Sequence, residues 1–294
     1  TPPPYASFVH GGSWQVASLS PELFLERNAS HVRMEPMKGT ASIGPTPEAT
    51  LLAASRLSSD PKTRSENLMI VDMVRNDLGR VAEVGTVEAS ELMRVRRFGG
   101  VLQATSTVSA TVHESTSRLI AATFPPASVT GAPKVATCRL IAEVETSPRG
   151  AYCGAIGFLG PGRRARFNVA IRTALLDEGR GIGECGVGGG VVWDSDEELE
   201  YQEMLVKAES WRQPATQWVL REALHSDSDM EQIERHIARV SGSAHHLGIS
   251  LDTASLRQAL LERSGQGTKI GVSVRRDGGF DVTGGPSALP AGTL

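Results

Sequence analysis

Alternating apolar and polar residues predict a series of short strands up to residue 192. The runs at 5–9 and 14–18 flank the turn His10-Gly11-Gly12-Ser13, an arrangement typical of a β-hairpin. Residues 101–112 are rich in Val, Thr and Ser and alternate in polarity, which predicts a longer strand. Further strand-like runs, separated by glycine-rich turns, lie at 152–159, 166–176 and 181–192.

Apolar residues at helical spacing predict helices between these strands. The positions concerned are Leu51, Leu52, Ala54 and Leu57 in a helix at 48–59, and Leu68, Val71 and Val74 in a helix at 65–77 that ends near Gly79. Shorter helices are predicted at 119–123 and at 133–143, with Pro133 in the first turn of the second. The last helix begins at Asp194-Ser195, with Ser195 and Glu198 as a capping box, and runs to about residue 211.

A change of composition at Arg212-Gln213-Pro214-Ala215-Thr216 predicts a domain boundary. Beyond it, the pattern predicts a strand at 218–224, helices at 230–246 and 253–263, a strand at 269–275 and a polar loop at 279–294. Strands mixed with helices and joined by short hairpin-like connections favour an α+β fold with mostly antiparallel sheets. We therefore predict two domains, 1–212 and 213–294.

The composition argues against several classes of protein. Apolar residues make up 40% of the chain, charged residues 21%, and the net charge of −3 provides no basic surface for nucleic acid. The three cysteines, Cys138, Cys153 and Cys185, lack the spacing of a disulfide framework or a structural zinc site. The chain has neither a membrane-spanning apolar run nor a signal peptide pattern. We therefore expect a soluble protein of the cytoplasm.

Three charged residues share one face of the last helix of the first domain. Glu200, Glu203 and Lys207 stand at i, i+3 and i+7. A surface ion-pair ladder has this pattern. A site for a divalent cation and a substrate carboxylate has it too, because Mg²⁺ takes one or two protein carboxylates and keeps positions open for other oxygens. The spacing leaves both interpretations open.

Two backbone features could approach a ligand closely. The run Gly186-Val187-Gly188-Gly189-Gly190 follows a strand-like segment, and its N–H groups could form a nest for an anion or simply end the strand. Lys38 lies in the turn Pro36-Met37-Lys38-Gly39, where it is either an exposed turn residue or an amine nucleophile. A nucleophilic lysine must be neutral, so its pKa would have to fall from the ordinary value of about 10.4.

Four motifs together resemble those of the chorismate-utilising enzymes. They are SPELF at 20–24, PMKGTA at 36–41, SENLMIVD at 65–72 and EYQE at 200–203. Within that family the chain is similar to the aminodeoxychorismate synthase component I group, since related enzymes usually have Ala at the position of Lys38. The resemblance implies an anthranilate synthase component I-like α/β sandwich, of which residues 1–212 match the C-terminal half.

The resemblance also implies roles for individual residues. Lys38 would be the nucleophile and Glu22 the general acid. Mg²⁺ would be held by Glu66 and Glu203, with Glu200 close by. The residues that would hold the substrate are Thr130, Gly131, Tyr152, Arg172, Gly188, Gly189, Gly190 and Lys207.

The implied reaction has two displacements. Lys38 would add at C2 of chorismate while the C4 hydroxyl leaves, and ammonia would then add at C4 and expel the lysine. The ammonia would come from a separate glutamine amidotransferase, because none of the cysteines has a GxCxG setting.

Two departures from the family pattern stand out. Gln103 occupies a position where many relatives have histidine, so we expect it to position substrate and not to transfer protons. The segment Phe124-Pro125-Pro126-Ala127-Ser128 replaces FPGGS, which stiffens the loop.

Residues 217–294 resemble the start of a fold-type IV pyridoxal-phosphate lyase of the aminodeoxychorismate lyase group. The resemblance lies in Glu234-Arg235-His236-Ile237-Ala238-Arg239-Val240, which would otherwise be a plain amphipathic helix. It implies that Arg239 contacts the cofactor phosphate in an intact lyase. Lys269 lies too close to this helix to be the Schiff-base lysine, so we expect no lyase activity.

Other functions remain open. An anthranilate synthase component I-like enzyme would share the metal and carboxylate sites, and an isochorismate synthase is a more distant alternative. A truncated fragment that binds chorismate or an amidotransferase without turnover is the alternative from outside the enzymes.

Overall fold

The computed structural model describes residues 3–44, 46–98, 101–193, 195–212, 219–226, 228–264, 269–275 and 277–285. The chain divides into two compact units, residues 1–212 and 213–294. The predicted boundary falls largely on residues 213–216, which lie outside the described part of the chain, as does the predicted helix start at Asp194. In the described ranges, helices long and apolar enough to cross a bilayer are absent.

The first unit alternates strands with helices. Its strands are β1 (Ser7–His10), β2 (Trp14–Ser18), β3 (Leu23–Asn28), β4 (His31–Glu35), β5 (Met37–Ser42), β6 (Glu88–Phe98), β7 (Val101–Thr111), β8 (Ala155–Gly160), β9 (Arg164–Val169), β10 (Thr173–Asp177) and β11 (Ile182–Cys185). Its helices are α1 (Pro47–Ser59), α2 (Pro61–Gly79), α3 (Thr116–Thr123), α4 (Lys134–Val144) and α5 (Glu197–Arg212), with a 3₁₀ turn at Ala127–Val129.

The described strands of this unit form two antiparallel sheets. The smaller has the order β1-β2-β10-β11. In the larger sheet, one edge of β7 pairs with β6. The other edge of β7 pairs with both β5 and β4. Strands β3, β9 and β8 follow β4 in that order. The chain passes from β4 to β5 at Pro36, whose carbonyl accepts a hydrogen bond from the N–H of Ser106. The predicted α+β fold with mostly antiparallel sheets is confirmed.

The core of the first unit lies between α2 and the larger sheet. Strands β3, β4 and β7 contribute Leu25, Val32 and Val108, all fully buried. On α2, the buried positions are Asn67, Ile70, Val71, Val74, Asp77 and Leu78. The predicted stripe was wrong for Leu68, which is half exposed, because the stripe that packs on the sheet runs through Asn67 and Ile70.

Several predicted elements differ from the structure. The predicted helix at 48–59 exists, but Leu51 and Leu52 face solvent and Leu57 is its buried residue. The single strand predicted at 166–176 is two strands, because the chain leaves one sheet after Val169 and enters the other at Thr173. The strand predicted at 181–192 ends at Cys185, so the glycine run is a loop.

The start of α5 also differs from the prediction. The side chain of Asp196 accepts a hydrogen bond from the N–H of Leu199 at 3.0 Å, so Asp196 caps the helix and not Ser195. The hydroxyl of Ser195 instead donates to Glu200 Oε1 at 2.6 Å. The residue predicted as a cap therefore orients a site carboxylate.

The second unit is a small α+β structure. It contains β12 (Val219–His225), α6 (Met230–His246), α7 (Thr253–Leu261), β13 (Lys269–Arg275) and β14 (Phe280–Gly285), with strand order β12-β13-β14. Apolar residues at i, i+4 and i+7 of α6, namely Ile233, Ile237 and Val240, are buried in its core. The predicted loop at 279–294 was wrong over β14, and residues 286–294 lie outside the described residues.

Candidate active site

The tertiary structure brings Glu22 and Lys38 together. Glu22 lies just before β3 and is 4% exposed, and Lys38 lies on β5. Burial raises the pKa of the Glu22 carboxyl from its usual 4.5 to about 7. A hydrogen bond from Ser128, the positive charge of Lys38 and a hydrogen bond from the Met37 backbone oppose that shift in the pKa. Glu22 is therefore a buried acid in electrostatic contact with the predicted nucleophile.

The backbone around Lys38 is shaped by the glycine that follows it. Gly39 has φ +88°, and a Cβ there would lie 2.2 Å from Thr63 Cγ2 on α2. Only glycine fits this close approach and this conformation. The register of β5 against β7 shifts between Met37 and Thr40, as expected of a β-bulge, which re-aims the intervening side chain.

The loop at 186–190 packs tightly against the predicted site side chains. A Cβ at Gly190 would lie 2.6 Å from Lys38 Nζ, and one at Gly188 would lie 2.9 Å from the hydroxyl oxygen of Tyr152. Lys207 Nζ donates to the carbonyl oxygen of Gly188 at 3.0 Å. The backbone of this loop thus lies close to side chains from β5, α5 and the 150–154 turn.

The two carboxylates of α5 have different surroundings. Glu200 accepts the hydrogen bond of Ser195, and its Oε2 lies 3.1 Å from the position of a Cβ at Gly189. Glu203 forms an ion pair with Lys207 at 2.7 Å, one turn along the helix. Glu200 thus faces the glycine loop, and Glu203 is paired with the cation that binds that loop.

Glu66 stands on the side of α2 that meets β5. It lies one turn after Thr63, whose methyl group contacts Gly39 beside Lys38. The side chain of Glu66 is partly exposed.

The predicted metal ligands therefore do not form a three-carboxylate cluster. No group of three His, Cys, Asp or Glu residues within the described ranges is placed to hold a metal ion. Carboxylate oxygens are the ligands that Mg²⁺ prefers, so the donor chemistry fits, but the Glu203 oxygen would have to leave Lys207. The metal assignment stays a prediction.

Arg172 occupies the break between β9 and β10. Its φ of +49° is uncommon for a residue other than glycine, and its carbonyl accepts a hydrogen bond from the N–H of Leu19 at 2.9 Å. Burial lowers the pKa of its guanidinium. Within the described residues that guanidinium has no hydrogen bond or ion pair, so its donors remain available for a carboxylate.

Tyr152 lies in the turn before β8 with its ring against Gly186. The pKa of its hydroxyl group is raised, chiefly by burial and to a smaller extent by the nearby Cys153. Tyr152 is therefore a neutral hydrogen-bonding group next to the glycine loop.

Gln103 is buried on β7, opposite Thr40 of β5. Its Oε1 is buried and has no hydrogen-bond partner among the residues that the structure describes. A buried acceptor left without a donor costs free energy. This atom is therefore suited to a donor group from a ligand.

Thr130 and Gly131 shape the loop before α4. The hydroxyl of Thr130 donates to the carbonyls of Pro126 and Ala127, both at 3.2 Å. The carbonyl of Gly131 accepts from Thr137 Oγ1 at 3.0 Å. The contacts of these two predicted substrate-binding residues are thus internal to the loop.

Three residues around the predicted site were missing from the sequence-based set. Ser128 lowers the pKa of Glu22, Ser195 donates a hydrogen bond to Glu200, and Lys134 donates to carbonyls of the loop at 123–125. A serine followed by a TGAPK segment marks two of them, but their partners are distant in sequence. Only the folded structure reveals those contacts.

In the second unit, the side chain of Arg239 is engaged. Its guanidinium forms an ion pair with Glu222 of β12, and Glu222 also contacts His236 Nδ1 at 2.6 Å. The side chain of Arg239 is nonetheless 62% exposed. Arg239 is thus an ion-pair partner here, and its predicted contact with a cofactor phosphate stays untested.

Comparisons with known proteins show a family match. Residues 1–213 match the family model described as chorismate binding enzyme. Aminodeoxychorismate synthase component 1 of Klebsiella aerogenes is 42% identical over 206 residues, which are 69% of this chain and 45% of that protein. Aminodeoxychorismate synthase of Streptomyces griseus is 44% identical over 212 residues, 71% of this chain and 29% of that protein.

A solved structure shows the same fold. The crystal structure of anthranilate synthase component I from Streptococcus pneumoniae is matched with a TM-score of 0.64 and 34% identity, over 72% of this chain and 47% of that one. The chain spans about half the length, or less, of these relatives.

Proposed function

This chain belongs to the family of chorismate-binding enzymes, and we propose that its first unit carries the catalytic residues of an aminodeoxychorismate synthase component I. The reaction converts chorismate and ammonia to 4-amino-4-deoxychorismate, in the p-aminobenzoate branch of folate biosynthesis. The observation that carries the proposal is the position of Lys38, whose charge acts on the buried acid Glu22 and whose Nζ lies 2.6 Å from the position of a Cβ at Gly190. The relatives named for this activity are about 40% identical, which supports it.

Lys38 and Glu22 divide the chemistry between them. Once it has given up a proton, the amine of Lys38 attacks C2 of chorismate, the two conjugated ring double bonds shift, and the C4 hydroxyl leaves as water with a proton from Glu22. Ammonia then adds at C4, the double bond shifts back, and the lysine leaves C2. With a pKa of about 7, Glu22 is half protonated at neutral pH, so it can give and take a proton.

Substrate recognition falls to the remaining residues. Chorismate carries two carboxylates, and the guanidinium of Arg172 offers a bidentate contact to one of them. The N–H groups of Gly188–Gly190, with Tyr152 and Lys207, suit the other. The free Oε1 of Gln103 accepts from the substrate hydroxyl or from ammonia, and Thr130 and Gly131 hold the adjoining loop in shape.

Magnesium and the ammonia source are further parts of the proposal. Glu66, Glu200 and Glu203 would hold the ion, which would supply positive charge for a substrate carboxylate. Ammonia would come from a glutamine amidotransferase subunit or domain. Cys138, Cys153 and Cys185 are free thiols, as a cytoplasmic protein would have.

The second unit is proposed as the first part of a pyridoxal-phosphate lyase. Its cofactor phosphate would compete with Glu222 for Arg239. We expect no pyridoxal aldimine absorbance from this chain, since Lys269 lies too close to the helix that carries Arg239 to form the Schiff base with the cofactor. An absorbance of that kind in the purified chain would contradict the expectation.

The synthase proposal is tested by a turnover assay. The chain is incubated with chorismate, Mg²⁺ and ammonium, and 4-amino-4-deoxychorismate is converted by added lyase to p-aminobenzoate, which is quantified. Lys38→Ala should abolish product, whereas Lys62→Ala, an exposed lysine on α2, should not. Full activity in Lys38→Ala would exclude the nucleophile role.

Two alternatives stand beside this assignment. The likeness to an anthranilate synthase component I favours anthranilate as product, and anthranilate fluorescence without added lyase would replace our assignment. The second alternative is a protein that binds chorismate without turning it over. Calorimetric binding of chorismate without any turnover would identify that case.

A further inference from the structure

A polar contact joins helix α2 to the larger sheet inside a largely apolar layer. The hydroxyl of Ser106 on β7 donates to Asn67 Oδ1 on α2 at 2.5 Å, and both residues are almost fully buried. The next residues on the same faces are apolar core residues, Val108 on β7 and Ile70 and Val71 on α2. Ser106 and Asn67 are therefore a polar pair within a layer of the core.

Ser106 also holds two irregular parts of the backbone. Its hydroxyl oxygen accepts a hydrogen bond from the N–H of Met93 at 3.1 Å, where the register of β6 against β7 shifts. Its own N–H donates to the carbonyl of Pro36 at 3.0 Å, two residues before Lys38. One serine thus links α2, the bulge of β6 and the junction of β4 with β5.

Helix α2 is joined at two points to the segment that carries Lys38. Thr63 lies against Gly39, where a Cβ would be 2.2 Å from Thr63 Cγ2. Asn67, four residues later on the same helix face, is linked through the serine of β7 to Pro36. Because Pro36 and Gly39 flank Lys38 in the chain, the register of α2 on the sheet determines where the backbone of Lys38 lies.

We propose that Ser106 and Asn67 are positioning residues, which fix the register of α2 against β5 and β7 and thereby the place of Lys38. Apolar contacts alone fix a register weakly, because the hydrophobic effect has no direction. A slide of the helix would leave the serine hydroxyl and the asparagine amide buried without each other, which costs free energy. The importance of the register for turnover rests on the proposed function, but the register itself can be measured without turnover.

The first test measures the position of the segment by NMR. The full chain is labelled with ¹³C-methyl threonine and protonated glycine in a deuterated background, and the Thr63 signal is identified by its loss in Thr63→Ser. The wild-type chain should show an NOE between the Thr63 methyl group and the α-protons of Gly39. Ser106→Ala and Asn67→Leu should both lose this NOE. Ser109→Ala, at a partly exposed serine of the same strand, is the matched control and should keep it.

A double variant separates positioning from stability. Ser106→Ala leaves Asn67 Oδ1 buried without its donor, so it should lower the melting temperature of the first unit by about 5 °C. Ser106→Ala/Asn67→Leu also removes the stranded amide, so it should recover part of that loss and still lack the NOE. The double variant replaces Ser106→Ala in every assay if the single variant does not fold.

Turnover measured on the same samples completes the test. We expect kcat to fall at least about tenfold in Ser106→Ala and in the double variant, however far the stability recovers, because the nucleophile is displaced. The KM for chorismate should stay close to that of the wild-type chain, because Arg172 and the glycine loop lie on other elements.

The outcomes distinguish this proposal from the synthase assignment. An NOE that survives loss of the Ser106 hydroxyl would refute the positioning role, with or without product. Loss of the NOE with the kcat of the wild-type chain would refute it as well. Loss of the NOE when no chain forms product, the wild type included, would support the fixed register and reject the synthase activity.

Discussion

The reactivity of a single carboxyl group depends here on where it is buried. Glu22 has no water to stabilise its charge, and three weaker contacts only partly offset that loss. Glu200 and Glu203 have the same chemical group but sit on the face of a helix, one held by a serine and the other by a lysine. Identical side chains thus take different roles because of their surroundings.

Glu22 makes the stability of the chain depend on pH. Its pKa is raised from 4.5 to about 7 in the folded chain, so the folded state holds the proton more tightly between those values. The stabilisation is complete below pH 4.5 and is lost as the pH rises through 7. The free energy of unfolding of the wild-type chain, relative to Glu22→Gln, should therefore fall by about 2.5 kcal/mol from pH 5 to pH 8.

Urea denaturation at both pH values measures this difference. The exposed Glu197→Gln is the control, and its pH dependence should run parallel to that of the wild-type chain. Parallel curves for Glu22→Gln and wild type would show that Glu22 is not a buried acid.

Gly190 limits the position of the reactive amine. A methyl group there would lie 2.6 Å from Lys38 Nζ, the far end of a flexible side chain that can move away. Gly190→Ala should therefore change the free energy of unfolding by no more than about 0.5 kcal/mol. It should lower turnover at least about tenfold, because a nucleophile displaced by 1 Å loses its alignment.

Thermal melts and the coupled turnover assay test both parts of this prediction. Gly242→Ala on α6, where a methyl group meets no atom within 4 Å, is the control and should retain turnover. Wild-type turnover in Gly190→Ala would place Lys38 outside the reaction.

At the scale of elements, the connections between strands decide where the site residues point. The turn between β4 and β5 and the bulge at Gly39 direct Lys38, and the break between β9 and β10 carries Arg172. The first residue of helix α4, Lys134, donates hydrogen bonds to carbonyl groups of the preceding loop. Regular elements supply the frame, and their irregular ends hold the chemistry.

Lys134 is expected to be a large contributor to stability. Its ammonium and the carboxylate of Asp77 are mostly buried, with side chains 16% and 7% exposed. Lys134→Met leaves the carboxylate and two loop carbonyls without their donor, which should cost about 3–5 kcal/mol of unfolding free energy. The second change in Lys134→Met/Asp77→Asn removes the isolated charge and should recover part of that loss.

Chemical denaturation of the two variants, beside the exposed control Lys62→Met, measures these costs. The control should stay within about 0.5 kcal/mol of wild type. A loss as small as this in Lys134→Met would mean that the buried ion pair does not hold the loop.

At the scale of the whole molecule, each of the two units has a core of its own among the described residues. The main core of the first lies between α2 and the larger sheet, and that of the second lies between the β12-β13-β14 sheet and helices α6 and α7. Each core is built from residues of one unit. We expect two unfolding transitions in calorimetry.

Core variants assign the transitions to the units. Leu25 and Leu256 are both fully buried, one in each core, and replacing either by alanine should cost about 2–5 kcal/mol. Leu25→Ala should lower the melting temperature of one transition, and Leu256→Ala that of the other. A single transition shifted equally by both variants would show one cooperative unit. The more exposed Leu261→Ala serves as the control.

Local patterns predicted most of the elements of this chain. Helix α6 and strand β13 match the predicted bounds, because their apolar residues repeat at the period of one structure and their ends carry turn residues. Predictions failed where the outcome depended on how the elements pack together in the fold. Leu68 has helical spacing but lies outside the packed stripe, and Val169 precedes a crossing between sheets that alternation alone does not mark.

The sequence by itself determined the family, the types of residue in the site and the periodicity of the elements. Only the tertiary structure decided that Glu22 is buried and feels the charge of Lys38, and that Ser195 donates to Glu200. The physical reason is that element periodicity is a short-range property of the chain. The pKa of a carboxyl and the partner of a cation depend on burial and on contacts between residues far apart in sequence.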